Sequence, residues 1–289
     1  MPQSLLKAAI IGALLALLSA CSALQLAYNN GPLAAWWWLD GYVDFSSEQT
    51  PRAKAAIDQW FDATRHAQLP EYAKLVVQAQ AEVMDPATPA QACRWQQQLR
   101  SKLDPALDRA IGLAADLVPG LGETQWRHIE AAFAKKNAEM RRDFLQPKLE
   151  ERAKASVKRT LERAETLYGD LDEAQRRVIA AGVAASPFDP QAWLGERERR
   201  QRDTVQMLRR LGSEHADRER IVAALRVLAE HAEVSPDPTY RAYQQRLIDY
   251  NCAFAAQIHN ATTPAQRKAA RERLKGWEDD LRALTAPQQ

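Results

Sequence analysis

Apolar residues recur every three or four positions through almost the whole chain after Thr50, and no segment alternates convincingly with period two. The spacing therefore predicts helices and no strands. A first helix is expected from Thr50-Pro51, with Thr50 as N-cap, Pro51 in the first turn, and Ile57, Trp60 and Phe61 on one face. A second starts near Leu69-Pro70 and runs to Met84, with Tyr72, Leu75, Val76 and Val83 inward. The stretch Asp85-Pro86-Ala87-Thr88-Pro89 breaks it. A third runs from Pro89 toward Leu117, bent or divided at Pro105, and Val118-Pro119-Gly120 stops it.

The longest pattern follows, from Glu123 to Tyr168. Trp126, Ile129, Phe133, Met140, Phe144, Leu149, Ala153, Val157, Leu161, Ala164 and Tyr168 fall mostly three or four apart. One helix over 123–168 would span roughly 70 Å, and Pro147 should kink it by removing a backbone donor and crowding the preceding turn. Gly169 supplies its C-cap. Shorter helices are expected over Asp172–Ala185, Pro190–Leu211 (capped by Gly212), His215–Ala232, Pro238–Ile258 and Pro264–Leu284. The product is all-α, an elongated multi-helix bundle of about eight to ten helices with one long helix kinked near Pro147.

Composition agrees. Glycine is scarce, at 11 of 289 residues, and an apolar content of 46% argues against a disordered chain. Ala, Leu, Gln, Glu and Arg dominate, and these are strong helix formers.

The N-terminus departs from this pattern. Lys7 precedes an apolar run from Ala8 to Leu18, about eleven residues where a membrane span needs ~20. It reads as the apolar part of a signal peptide, residues 1–20, ending at a small-residue cleavage site. Cys21 directly after Leu18-Ser19-Ala20 resembles the lipobox of bacterial lipoproteins, in which the cysteine is acylated and the leader cut before it. That resemblance implies lipidation at Cys21 and a membrane partner through it. Ser22 follows, where Asp would resemble an inner-membrane retention signal, so the periplasmic leaflet of the outer membrane is the expected location. The expected organisation is a leader (1–20), a lipid-anchored aromatic segment (21–49) and a helical periplasmic domain (50–289).

Within that segment, Tyr28-Asn29-Asn30-Gly31-Pro32 is turn chemistry and Trp36-Trp37-Trp38 opens an aromatic cluster reaching Phe45. Three adjacent tryptophans cannot share one side of a helix, since each step turns by about 100°. They either plug a space between helices or lie at headgroup level beside the anchor. Asp40 and Asp44 would sit badly against a membrane, which favours packing.

Charge adds an exclusion. Lys and Arg number 39 against 37 Asp and Glu, and losing Lys7 with the leader leaves the mature chain nearly neutral. No strong field would attract nucleic acid or anionic lipid. Cys93 and Cys252 remain after Cys21 and allow one pairing in an oxidising compartment, adding on the order of 4 kcal/mol in the chain-entropy model. They are expected to approach within disulfide range; the alternative is two buried thiols.

Catalytic chemistry is not legible. His66, His128, His215, His231 and His259 form no paired helical metal motif, and His231-Ala232-Glu233 points its two polar side chains in different directions. No Gly-rich phosphate loop, G-x-S-x-G elbow or Cys-x-x-Cys occurs. In Glu196-Arg197-Glu198-Arg199-Arg200-Gln201-Arg202-Asp203, opposite charges stand four apart, the arrangement of a solvated helix face. No catalytic residue, metal site or cofactor is expected. An enzyme would need a cleft gathering His128 or His231 with carboxylates.

One short pattern recurs. Leu121-Gly122-Glu123-Thr124-Gln125 matches Leu171-Asp172-Glu173-Ala174-Gln175; Thr262-Thr263-Pro264-Ala265-Gln266 is a looser copy, and Thr88-Pro89-Ala90-Gln91 begins alike. An N-cap Asp or Thr with Gln three residues on forms a capping box, which accounts for most of the pattern. The copies also resemble the Leu-Thr-x-x-Gln signature of Spy-type periplasmic chaperones, helical cradles that hold unfolding proteins, although Gly122 and Asp172 replace the threonine. A wider resemblance runs from Leu18-Ser19-Ala20-Cys21 through Trp37-Trp38-Leu39-Asp40-Gly41-Tyr42-Val43-Asp44-Phe45, Leu69-Pro70-x-Tyr72-Ala73, and Tyr168-Gly169 to Pro187-Phe188-Asp189-x-x-x-Trp193. These residues are similar to a Gram-negative lipoprotein family with a domain of unknown function. The expectation is a non-catalytic envelope lipoprotein presenting a helical surface to another envelope protein. The alternative is a Spy-like cradle for unfolded clients.

Overall fold

The computed structural model describes residues 23–286, so the leader and Cys21 lie outside the described residues. Among the described residues there are twelve α-helices and one 3-10 turn, with no strand. They are α1 (Ala23–Asn29), α2 (Gly31–Val43), α3 (Thr50–Ala67), α4 (Leu69–Glu82), α5 (Pro89–Ala115), the 3-10 turn Val118–Gly120, α6 (Glu123–Phe144), α7 (Leu149–Tyr168), α8 (Glu173–Ala185), α9 (Pro190–Ser213), α10 (Arg218–Glu233), α11 (Pro238–Asn260) and α12 (Pro264–Thr285). The chain is an all-α multi-helix bundle.

The count exceeds eight to ten for two local reasons. Residues 23–43, read from sequence as turn and aromatic cluster, form two helices separated at Asn30. The long helix is divided, not kinked: α6 ends at Phe144, and α7 starts at Leu149. Pro147 lacks the donor a continuous helix would use, and it disfavours helical geometry at Gln146 before it. The Gln146 side-chain Nε2 donates to the Asp143 carbonyl at 2.7 Å, satisfying one acceptor of the helix end. The break also resets the apolar register, which leaves Leu149 exposed. Pro105, by contrast, lies inside a continuous α5.

Six of the twelve starts follow the capping logic; α3 does not, since Thr50 is its first helical residue and Gln49, without a capping bond, precedes it. Side chains of Thr88, Asp172, Asp189, Asp217, Asp237 and Thr263 accept from first-turn N–H groups of α5, α8, α9, α10, α11 and α12. Gly169, at φ 77°, ends α7. Gly212 does not cap α9, which runs on to Ser213. His215 takes the left-handed position at φ 48°, with Ala216 N–H bonded to Leu211 O at 3.0 Å and His215 N–H to Gly212 O at 3.2 Å. That is a Schellman closure with histidine where glycine is usual.

The apolar interior is divided into small clusters. Ala115, Val118, Leu211, Ala216 and Ile221 join the ends of α5 and α9 to the start of α10. Val43, Trp126, Ile129 and Val205 join α2, α6 and α9. Val83, Ala270 and Leu274 join α4 to α12, and Ala164, Leu171 and Ile179 join α7 to α8 with Phe254 and Ile258 of α11 beside them. Residues 31–43 thus share a cluster with the later helices and are not set apart from the body that begins at Thr50.

Candidate interaction surface

The three tryptophans divide as the 100° step requires. Trp36 is buried, stacked on Phe45 with ring centroids 5.8 Å apart and with the Lys54 ammonium 4.8 Å from its centre. Trp37 and Trp38 are each 65% exposed. Tyr42, next to Trp38 at 5.1 Å, reaches inward to Phe133 of α6 at 5.7 Å. Of the two sequence readings, packing describes Trp36 alone. Asp40 is turned in, its Oδ1 accepting the Phe45 N–H at 3.1 Å, and Asp44 lies 3.9 Å from the half-buried His128. Between α2 and α6 runs an open groove of about 480 Å³ lined by Trp37, Trp38, Tyr42, His128, Lys135 and Lys136 among others.

Cys93 of α5 and Cys252 of α11 are joined by a disulfide with Cα atoms 5.2 Å apart. The bridge ties early and late helices that also pack along each other.

The recurrent glutamines act as caps and more. Gln91, Gln175 and Gln266 each accept the N–H of their own N-cap residue, at 2.7, 2.9 and 2.9 Å. Gln125 accepts the Gly122 N–H at 3.0 Å, but Gly122 has no side chain to complete the box. The copies at 171–175 and 262–266 then meet. Gln175 donates to Gln266 Oε1 at 2.7 Å, Gln266 donates back at 3.0 Å, and each bonds a carbonyl beside the other's helix start, Ala261 O at 2.9 Å and Asp170 O at 2.7 Å. Helical spacing cannot reveal this junction, because it pairs segments 91 residues apart.

The charge run on α9 is not simply solvated. Glu196 is buried and receives two bonds from Arg199, at 2.7 and 2.8 Å. Burial pushes its carboxyl up, but hydrogen bonds from Arg199 and Ser235 and the charges of Arg199 and Arg200 outweigh this and hold it below its ordinary value. Glu198 pairs with Arg141 of α6, so part of the run fastens helix to helix. Arg199 to Asp203, at 2.5 Å, keeps the expected four-residue spacing.

The histidines are dispersed. His66 stands near Asp62 at 3.4 Å on an exposed turn of α3, and His128 lies beside Asp44 and the Gly41 carbonyl. His259 is the buried one, bonded at Nε2 to the Asp85 carbonyl (2.7 Å) and at Nδ1 to the Tyr168 hydroxyl (2.8 Å). A carbonyl only accepts, so Nε2 carries the proton and Nδ1 accepts from Tyr168. Burial, and secondarily the charge of Arg267, push the His259 pKa down against the pull of the Asp85 bond; burial raises Tyr168 to about 12. Among the described residues no group of three or more His, Cys, Asp or Glu is placed to hold a metal ion.

Two features escaped sequence reasoning. Phe188 and Trp193 pack on Phe144 at 6.4 and 5.2 Å, filling the gap where α6 breaks. Leu99, Leu103 and Leu107 form an exposed row along α5, four residues apart. Periodicity marks such a row as apolar and says nothing of whether a neighbour covers it.

No helix of the described residues is long and apolar enough to cross a membrane. The model of a family of unknown function (DUF6279) matches residues 41–227. No curated protein and no solved structure matches the chain.

Proposed function

This chain belongs to DUF6279, a family of unknown function, and from that premise we propose that it is a non-catalytic envelope lipoprotein, held at the outer membrane through Cys21 and presenting its helical body to another envelope protein. The observation that carries the reading is Cys21 directly behind Leu18-Ser19-Ala20 and the apolar run Ala8–Leu18. The helical bundle supports it by offering long, ion-paired helix faces to a partner. One acyl chain holds a protein only marginally, so a triacylated Cys21 keeps the chain membrane-bound through a high-salt wash, and near neutrality leaves little for salt to screen. Cys21→Ser blocks acylation and processing. Metabolic labelling with a palmitate analogue tests this: equal label in wild type and variant overturns the assignment. In-cell crosslinking then identifies the partner.

The second reading is a cradle for unfolded clients. Two observations favour it: the exposed Leu99, Leu103 and Leu107 row, and the joined Gln175 and Gln266 copies of the chaperone-like pattern. Suppression of client aggregation by the protein, lost when the three leucines become serine, would replace the first reading with this one.

A further inference from the structure

We propose that the outward face of α2 lies in the headgroup layer of the membrane that holds Cys21, so that the body is docked on the lipid and not merely tethered to it. The inference rests on the lipoprotein reading above. The exposed residues of α2 are Leu33, Ala34, Trp37, Trp38 and Gly41, a helix face with no polar or charged side chain. Leu26 of α1 is 61% exposed and extends the apolar surface toward the anchor. No Asp, Glu, Lys or Arg occurs anywhere from Ala8 to Leu39. A helix facing water normally carries its charges on the outward side; α2 has its only charge, Asp40, turned inward onto the Phe45 N–H.

The occupant of this face follows from where the chain is held. Only Ser22 separates Cys21 from Ala23, and the stretch from Ala23 to Trp37 measures at most about 22 Å along its helix axes. An anchored Cys21 therefore keeps Trp37 and Trp38 within about 30 Å of the bilayer surface, where they can reach it without the body unfolding. Tryptophan favours the interface, where its ring is half solvated and its N–H finds partners. Beyond the indoles, Lys135 lines the same groove as Trp37 and Trp38 and complements lipid phosphates. The carboxylates nearby do not oppose this: Glu139 is paired with Lys136 at 2.8 Å, and Asp44 lies beside His128 at the far end of α2.

The test uses the full processed chain, purified in detergent and reconstituted into vesicles of phosphatidylethanolamine and phosphatidylglycerol. Phospholipids brominated near the headgroup quench only indoles lying in the interface. Of the 8 tryptophans, two should be quenched, and Trp37→Phe/Trp38→Phe should lose most of the quenched component with an unchanged melting temperature. Unquenched emission in wild type, or equal quenching in the variant, overturns the docking. So does a crosslinked dimer joined through Trp37 and Trp38, which would make a second copy the occupant. Intact mass separates the two ideas: a chain without acyl groups sinks the anchor reading and this inference together, whereas an acylated chain with unquenched indoles sinks this inference alone.

Discussion

At position 182 the chain has room for a hydrogen and nothing larger. A Cβ built on Gly182 would overlap the Phe254 ring, and the Tyr250 hydroxyl donates to the Gly182 carbonyl, so α8 and α11 approach backbone to ring. Gly182→Ala should lower stability by about 1–3 kcal/mol through overpacking, read as a fall in the denaturation midpoint. Gly195→Ala and Gly276→Ala are the controls: both positions are helical and open, so alanine there should stabilise by up to ~1 kcal/mol. His259 belongs to the same scale. Its folded pKa lies below the ordinary histidine value of about 6.5, so the unfolded chain takes up the proton first as pH falls. Its contribution is complete above that pH and is lost progressively below it, down to the folded value. An NMR titration should place the His259 midpoint below 6.5, and a midpoint above it would show that burial does not hold the ring neutral against the Asp85 bond.

At the scale of elements, the Gln175 and Gln266 junction joins the starts of α8 and α12. Replacing a capping residue alone, as in Thr88→Ala, should cost about 1 kcal/mol. Gln175→Ala should cost more, because it also leaves the Ala261 carbonyl and the Gln266 amide short of partners. A double-mutant cycle with Gln266→Ala should report a coupling of about 0.5–3 kcal/mol. Additive effects would mean that the two caps act independently.

The whole molecule is several small apolar clusters linked by long helices, and the Cys93–Cys252 bridge spans them with a sequence separation of 159. Closing a loop of that length in the unfolded chain should contribute about 3–5 kcal/mol. Cys93→Ser/Cys252→Ser should lower the urea midpoint accordingly, while leaving helical content intact at room temperature. A variant as stable as wild type would show that α11 and α5 hold each other without the bridge.

Periodicity, prolines and caps are local signals, and they located most helices after Thr50 to within a few residues. They failed where geometry is decided by neighbours. Whether Pro147 kinks or divides a helix depends on what fills the gap, here Phe188 and Trp193 brought from a later segment. The same holds for charge: Glu196 has the spacing of a surface residue and becomes buried because α9 meets Ser235 at the end of α10. Of the candidate surface, the helical step required the three tryptophans to diverge, but only the packing of α2 against Phe45, α3 and α6 decided that Trp36 goes in while Trp37 and Trp38 stay out. Residue spacing specifies which side chains share a face of one helix; which face is covered is settled by the other helices, because burial is a property of pairs of surfaces and not of a chain segment.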